Sequence, residues 1–311
     1  MKAKIYDYAT RTLGFDDCKF TTADTSRFMD IYDQWLKAGH QGSMDYLERH
    51  QDLKKYPEKL LPGARSAIVL MKNYKNTSER RLQGRFKIAR YAVGQDYHLV
   101  MTEKLKKLAD FLTTSTPGVG EVRCYYGVDS RPIPERSYAL QGGIGFLGKN
   151  TMIIKPGLGS YFFLGVVLTT LELETDESLK WNCGSCRLCL DACPTQALIG
   201  DYQMDAAKCI SYQTIEQKTP MTEEQLNNAQ GWIYGCDICQ EVCPYNHDNV
   251  PLTDWTEFRP ASGVGFDFFK KNPDLDSKDI PATSPLHRSR NRIIPNIRMA
   301  RLMESGRIES D

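Results

Sequence analysis

Cysteine is the residue type best placed to do chemistry in this sequence. The segment Cys183-Gly184-Ser185-Cys186-Arg187-Leu188-Cys189-Leu190-Asp191-Ala192-Cys193-Pro194 is a C-x2-C-x2-C-x3-C-P run. That spacing is the one used by bacterial two-cluster ferredoxins, where three cysteines hold one cubane and the fourth reaches to the other. A shorter run, Cys236-Asp237-Ile238-Cys239-Gln240-Glu241-Val242-Cys243-Pro244, lacks one cysteine at its front, and Cys209 can fill the vacancy from a distance. The count of eight then closes. Cys183, Cys186, Cys189 and Cys243 make one ligand set, and Cys193, Cys209, Cys236 and Cys239 make the other, each for one 4Fe–4S cluster. Paired C-x2-C units also bind zinc, but zinc does not require the C-x3-C-P element, which occurs here twice. The other two of the ten cysteines, Cys18 and Cys124, have no nearby partner and read as small buried hydrophobes.

Two one-electron carriers need a terminal acceptor, so the preceding stretch is expected to hold a further cofactor. Gly143-Ile144-Gly145-Phe146-Leu147-Gly148 matches G-x-G-x-x-G, but a strand is expected after it where a dinucleotide fingerprint needs a helix. It is not a phosphate loop either, because Lys149 is followed by Asn150. These glycines read instead as allowing close backbone approach to a large planar cofactor. Asp129 stands at the end of an apolar strand, before Ser130-Arg131-Pro132-Ile133-Pro134-Glu135-Arg136. A carboxyl facing a cofactor cavity is expected to have a raised pKa and to donate a proton. The plainer alternative is a cap or an ion pair with Arg131 or Arg136.

The elements that must position these residues follow from periodicity. Residues 1 to about 60 read as helical, with Phe28, Ile31, Trp35 and Leu36 near helical spacing and Gly39 as a stop. Ala67 to Met71 reads as a short apolar strand after the Pro62-Gly63 turn. Asp96 can cap a helix to Leu112, whose buried stripe is Leu99, Leu105, Leu108, Phe111 and Leu112. Val122 to Val128, Thr151 to Ile154 and Tyr161 to Thr169 read as strands. Glu172 to Lys180 reads as a linker, and a last helix is expected from Asn296 to Glu304. The organisation expected is 1–175 for the cofactor, 176–250 for the clusters and 251–311 as a basic extension.

Composition bounds the rest. The chain has 311 residues, 41% of them hydrophobic, and a formal net charge of +1. No apolar run reaches the ~18–20 residues a membrane helix needs, and the N-terminus lacks the apolar core of a signal peptide. A cytoplasmic protein with reduced thiols and no membrane contact is expected. Two basic stretches stand out: Lys72, Lys75, Arg80, Arg81, Arg85, Lys87 and Arg90, and Arg288, Arg290, Arg292, Arg298 and Arg301. They are either solvated surface or a nucleic-acid footprint.

Several motifs together resemble the epoxyqueuosine reductases of tRNA queuosine synthesis. They are Leu60 to Ser66, Tyr91 to His98, the Asp129 to Arg136 segment, Gly143 to Phe146 with Gly148-Lys149-Asn150, and Cys209 to Glu216 between the cysteine runs. The resemblance implies an α+β chain, with a nitroreductase-like cobalamin-binding domain followed by a ferredoxin-like domain with two 4Fe–4S clusters. It implies that no histidine ligates cobalt. In agreement, the D-x-H-x-x-G motif is broken, because Met101 follows Asp96-Tyr97-His98 where the glycine should be. It places Asp129 at the family's proton-donor position, and Ile153, Leu164, Ser211, Asp237 and Ile238 near the corrin. Lys54 falls near an arginine site, and Ala89 stands where one member has a cysteine. The implied reaction is reduction of epoxyqueuosine to queuosine at the tRNA wobble position, fed by an external electron donor. The chain is expected to act as a monomer and to lack the C-terminal HEAT-like repeats of longer members. That leaves tRNA binding to the cluster domain and to the Arg288 to Arg301 stretch. A reductive dehalogenase-like enzyme and a ferredoxin-type carrier remain as alternatives.

Overall fold

The computed structural model describes residues 1–24, 29–76, 81–82, 86–115, 120–247, 249–260 and 280–304, without side chains at 81, 82, 86 and 299–304. Phe28, Arg80 and Arg85, and the side chains of Arg81 and Arg301, lie outside it. At its centre is a four-stranded antiparallel sheet. Its order is Asp17–Thr22, Ser66–Asn73, Phe162–Thr169, Cys124–Gly127. All eight residues of Ser66–Asn73 are buried, as a central strand covered on both faces demands. Side chains alternate across the pleat. Phe20, Ile68, Leu70 and Val167 enter one core with Leu105, Leu108 and Leu112 of the helix Tyr97–Thr114. Val69, Met71, Val166 and Leu168 enter the other, with Tyr138 and Ala139 of the helix Glu135–Gln141.

Several expectations need correction. The first sixty residues are not uniformly helical, because Asp17–Thr22 is an edge strand. Leu99 is 56% exposed, and the buried positions Val100 and Met101 carry that turn of the helix. Ile31 is likewise exposed on the helix Met29–Lys37. Phe146–Leu147, expected in a loop, pairs with Ile153–Ile154. The glycines before it meet the chain itself: a Cβ on Gly143 (φ +76°) would lie 2.2 Å from the Glu177 carbonyl oxygen, and one on Gly145 would lie 2.5 Å from that of Ile154. The stretch read as a linker is tied down, since Asp176 accepts from Lys2 and from the Phe20 amide. Lys72 is no surface cation. Its side chain is wholly buried and donates to Asp16, Asp254 and the Gly14 carbonyl. The last helix begins six residues early, spanning Arg290–Glu304 with Pro295 inside it.

The cluster segment is held to the sheet by a buried polar seam. Gln240 donates to the Ser160 carbonyl at 3.0 Å, and Asn246 donates to Ser160 Oγ at 2.9 Å and accepts from the Ser160 amide at 2.7 Å. Every polar atom so engaged offsets its own desolvation. A second tie is Trp232–Tyr234, which pairs in parallel with Phe86–Ile88. Ile293, Ile294 and Ile297 of the last helix pack into that junction. Among the described residues no helix is long and apolar enough to cross a membrane.

Candidate functional site

The eight clustered cysteines divide between two cavities in the pairing that the spacing predicts. Cys183, Cys186, Cys189 and Cys243 line one of about 50 Å³. Cys193, Cys209, Cys236 and Cys239 line another of about 260 Å³. The exchange arises because each C-P step ends its short helix, at Leu188–Ala192 and at Ile238–Glu241, and turns the last thiol away from its own run. Burial pushes the Cys189 thiol up to about 11, with the neighbouring Cys183 adding to it. Cys236 and Cys239 go well above the ordinary thiol range through burial first; neighbouring thiolates add to it, and at Cys236 the Ile238 amide opposes it. Four thiolates stay together in such a place only around a positive core, because ligation requires the deprotonated form. Among the described residues no three metal-binding side chains converge on a single-ion site. A cubane gives each thiolate its own iron and so asks for wider spacing.

The two chambers are neighbours. Asn150 lines both, and its Nδ2 donates to the Cys239 carbonyl at 3.2 Å. Tyr91, Arg136 and Met204 line the second chamber and also a third cavity of about 650 Å³. Three spaces thus stand in series from Cys183 to Asp129.

Asp129 lies in the third cavity at φ 39°, a left-handed backbone that a non-glycine residue adopts at a cost. Its Oδ2 accepts from the Tyr97 hydroxyl and faces His98 Nε2 at 3.2 Å. His98 Nδ1 sits 2.7 Å from Asp96 Oδ1, and that same oxygen accepts from the His98 amide at 3.0 Å, capping the helix. Both ring nitrogens are therefore engaged. The Asp129 side chain is 65% accessible, and it lines the third cavity. Burial alone would raise its carboxyl, but the hydrogen bonds from His98 and Tyr97 outweigh that and hold it at about 2. This overturns the expectation of a raised pKa, and the partners are not Arg131 or Arg136. Burial alone would lower His98, but the two flanking carboxylates win and raise it. In the same cavity, burial pushes Glu135 up to about 7 against the pull of Lys54. Lys54 is itself lowered by burial, with Glu135 opposing.

A model described as a 4Fe-4S double cluster binding domain matches residues 182–246, which contain all eight clustered cysteines. A second, described as epoxyqueuosine reductase QueG, DUF1730, matches residues 54–130. An epoxyqueuosine reductase of Cyclobacterium marinum is 41% identical over 244 residues, 77% of this chain and 77% of its own. One from Pseudomonas aeruginosa is 36% identical over 309 residues, 89% of this chain and 85% of its own. The chain belongs to the epoxyqueuosine reductase family. A selenomethionine-labelled epoxyqueuosine reductase crystal structure shares the fold at a TM-score of 0.83 and 31% identity, over 96% of this chain and 80% of that one. Another, solved with an epoxyqueuosine-modified tRNA-Tyr stem loop, gives 0.78 and 28%, over 95% and 80%.

Within this family member, the residues singled out by resemblance fall into two groups. Lys54 and Asp129 line the third cavity, and Ser211, Asp237 and Ile238 line the chamber beside it. Asp237 also accepts from the Arg90 amide at 2.7 Å, so its carboxylate helps fix the wall. Ile153 and Leu164 line none of the three spaces and pack with the core on that side of the sheet. Ala89 is buried against Ile210 and Trp232. Three functional candidates were not visible as such in the sequence, Tyr97, His98 and Glu135, whereas Arg288 and Arg292, which also line the cavity, belong to the basic stretch expected to meet RNA. The Asp96-Tyr97-His98 triplet was the available signal, but it marks the clamp on Asp129, not a ligand to metal.

Proposed function

We propose that this chain reduces the epoxide of epoxyqueuosine in tRNA to give queuosine. One observation carries the reading: two four-cysteine chambers stand in line with a cavity that ends at an Asp129–His98–Tyr97 cluster. The reaction takes two electrons and two protons, turns the epoxide into an alkene and releases the oxygen as water. In this reading residues 1–175 form the cofactor-binding catalytic domain, 176–250 the cluster domain and 251–311 a basic extension. An external donor supplies electrons to the Cys183 chamber. The chain acts as a monomer in this reading. The setting is the cytoplasm, with the tRNA substrate.

The third cavity and its neighbour also suit cobalamin, the cofactor implied by the family. Lys54, Asp129, Ser211, Asp237 and Ile238 would hold it, in a nitroreductase-like arrangement, with Ile153 and Leu164 backing them from the core. When bound, the corrin supplies a low-valent cobalt that gives electrons to the substrate. The remaining steps belong to this chain. Asp129 is ionised at neutral pH, and His98, raised by the two carboxylates that flank it, is the group beside it that can carry the transferable proton. Asp129 Oδ2, in contact with both His98 and Tyr97, hands it to the departing oxygen. Arg288 and Arg292 in the cavity wall offer positive charge to RNA phosphates.

The deciding experiment incubates the reduced, cobalamin-loaded protein with epoxyqueuosine-containing tRNA and reads nucleosides by mass spectrometry. Queuosine should form; unchanged epoxyqueuosine would remove the proposal. Affinity for the tRNA should also drop steeply with salt, as released counterions require.

A further inference from the structure

Glu135 is a charged group in the third cavity for which the reaction above has no use. It opens the helix Glu135–Gln141, yet the helix start has no side-chain cap bond. The adjacent Arg136 does not pair with it either, because Arg136 Nη1 donates to the Thr151 carbonyl at 3.0 Å. Its Oε1 is buried and has no hydrogen-bond partner. The charged groups facing it are Lys54, Asp129 and Arg136, and none donates to that oxygen; the donor that acts on the carboxyl is the residue's own backbone amide. A buried acceptor left unpaired costs stability. A group that costs the empty fold and faces a cavity is the kind of group a ligand satisfies.

We propose that Glu135 is a further substrate-positioning residue, whose carboxyl accepts a hydrogen bond from an N–H or O–H carried by the modified part of the wobble base. The inference rests on the tRNA-reductase reading and adds the group that recognises the modification. The substrate is the donor proposed, because Glu135 shares the cavity of Asp129, the group that meets the epoxide oxygen, and is absent from the chamber that carries Ser211, Asp237 and Ile238; corrin uptake in the test below separates the two. As a second carboxyl lining the Asp129 cavity, it would hold the modified ring so that the epoxide oxygen meets Asp129 and not the solvent. Burial keeps its carboxyl titrating at about 7, with Lys54 drawing it back, so a donor arriving from the ligand finds an acceptor that is ready to ionise.

The test uses the protein loaded with clusters and cobalamin, and two anticodon stem-loop RNAs: one with epoxyqueuosine and one with unmodified guanosine. Binding is compared for the wild type, Glu135→Leu and Glu135→Gln. Glu135→Leu should weaken binding of the epoxyqueuosine RNA about tenfold, the loss of one hydrogen bond to a charged acceptor, and leave the guanosine RNA unchanged. Glu135→Gln keeps a carbonyl acceptor and should recover part of the loss. Iron content and corrin absorbance should be the same in all three. Equal affinity of Glu135→Leu and wild type for the modified RNA would overturn the proposal, as would an equal loss for both RNAs. Loss of corrin uptake in Glu135→Leu would also overturn it, by assigning the donor to the cofactor. If the wild type itself neither prefers nor converts the modified RNA, the reductase reading falls, and that is visible without any variant.

Discussion

The cysteine chambers and the Asp129 cavity solve the problem of buried charge in opposite ways. In the chambers, burial and mutual repulsion drive Cys236 and Cys239 far above the ordinary thiol range, and only an imported positive core can hold the thiolates. In the cavity the chain supplies its own compensation. His98 stands between Asp96 and Asp129, Tyr97 donates to Asp129, and Arg288 adds positive charge. The lesson is that the chambers depend on a ligand and should fail as a whole, whereas the cavity is preorganised and should fail by degrees.

The largest expected effect is in the chambers. Cys243 closes the second cysteine run but lines the cavity of the first. Cys243→Ala should therefore remove the cluster held by Cys183, Cys186 and Cys189, cut bound iron by about half and stop electron delivery. The Cys193 chamber should keep its cluster. Iron analysis and low-temperature EPR of the variant check this; loss of the other cluster alone would mean that the crossed pairing is wrong.

Next comes the cavity. Asp129→Asn keeps the shape of the side chain but cannot carry the proton, and should lower turnover about 10²–10⁴-fold. Cluster spectra and corrin uptake should stay as in the wild type. Turnover within a few fold of wild type would show that the Asp129 clamp is structural and not chemical.

How much of each region can be read from the sequence follows from the same contrast. Cubane ligation forces a fixed local spacing, so seven of the eight ligands announce themselves in the two runs, and Cys209 is found by counting. The cavity has no such signature. Tyr97 and His98 stand 32 and 31 residues before Asp129, on a helix start that looks like ordinary capping. The sign of the Asp129 shift is hidden for a physical reason: burial and hydrogen bonding act in opposite directions, and only the partners decide. Glu135 looks in sequence like any acidic first-turn residue. The central strands are legible because Ile68 to Met71 and Phe162 to Leu168 are continuous apolar runs. The edge strand Asp17–Thr22 is not, since its inward pair Cys18 and Phe20 is too short to show a period. Pro295 disguises the start of the last helix, because proline more often marks a first turn than an interior.

A smaller effect separates the clamp from the acid it holds. The His98 proton is stabilised by Asp96 and Asp129, so turnover should persist above the ordinary histidine range and fall as the pH climbs past its raised pKa. His98→Gln keeps a hydrogen-bonding side chain but removes that titration. Its pH–rate profile should lose the alkaline fall and run uniformly low. An unchanged alkaline limb in His98→Gln would assign the proton to another group.

The smallest effect compares the two walls of the cavity with each other. Asp129 is held below its ordinary value, so its contribution to stability is present above about pH 4 and is lost only as the pH drops toward about 2. Glu135 is the reverse. Its folded-state value of about 7 lies above the ordinary 4.5, so the folded state prefers the protonated form. Stability from that preference is present below about pH 4.5 and is lost as the pH rises through about 7. Glu135→Gln cannot ionise, so its melting temperature relative to wild type should climb between pH 5 and pH 8, by a few degrees at most. The gain is capped because Lys54, itself buried, loses its nearby carboxylate. Asp129→Asn should show no such climb over the same range, because the wild-type carboxylate is already ionised throughout it. Parallel melting curves for the two variants from pH 5 to pH 8 would mean that the walls are not electrostatically distinct, and the division of labour between them would fail with it.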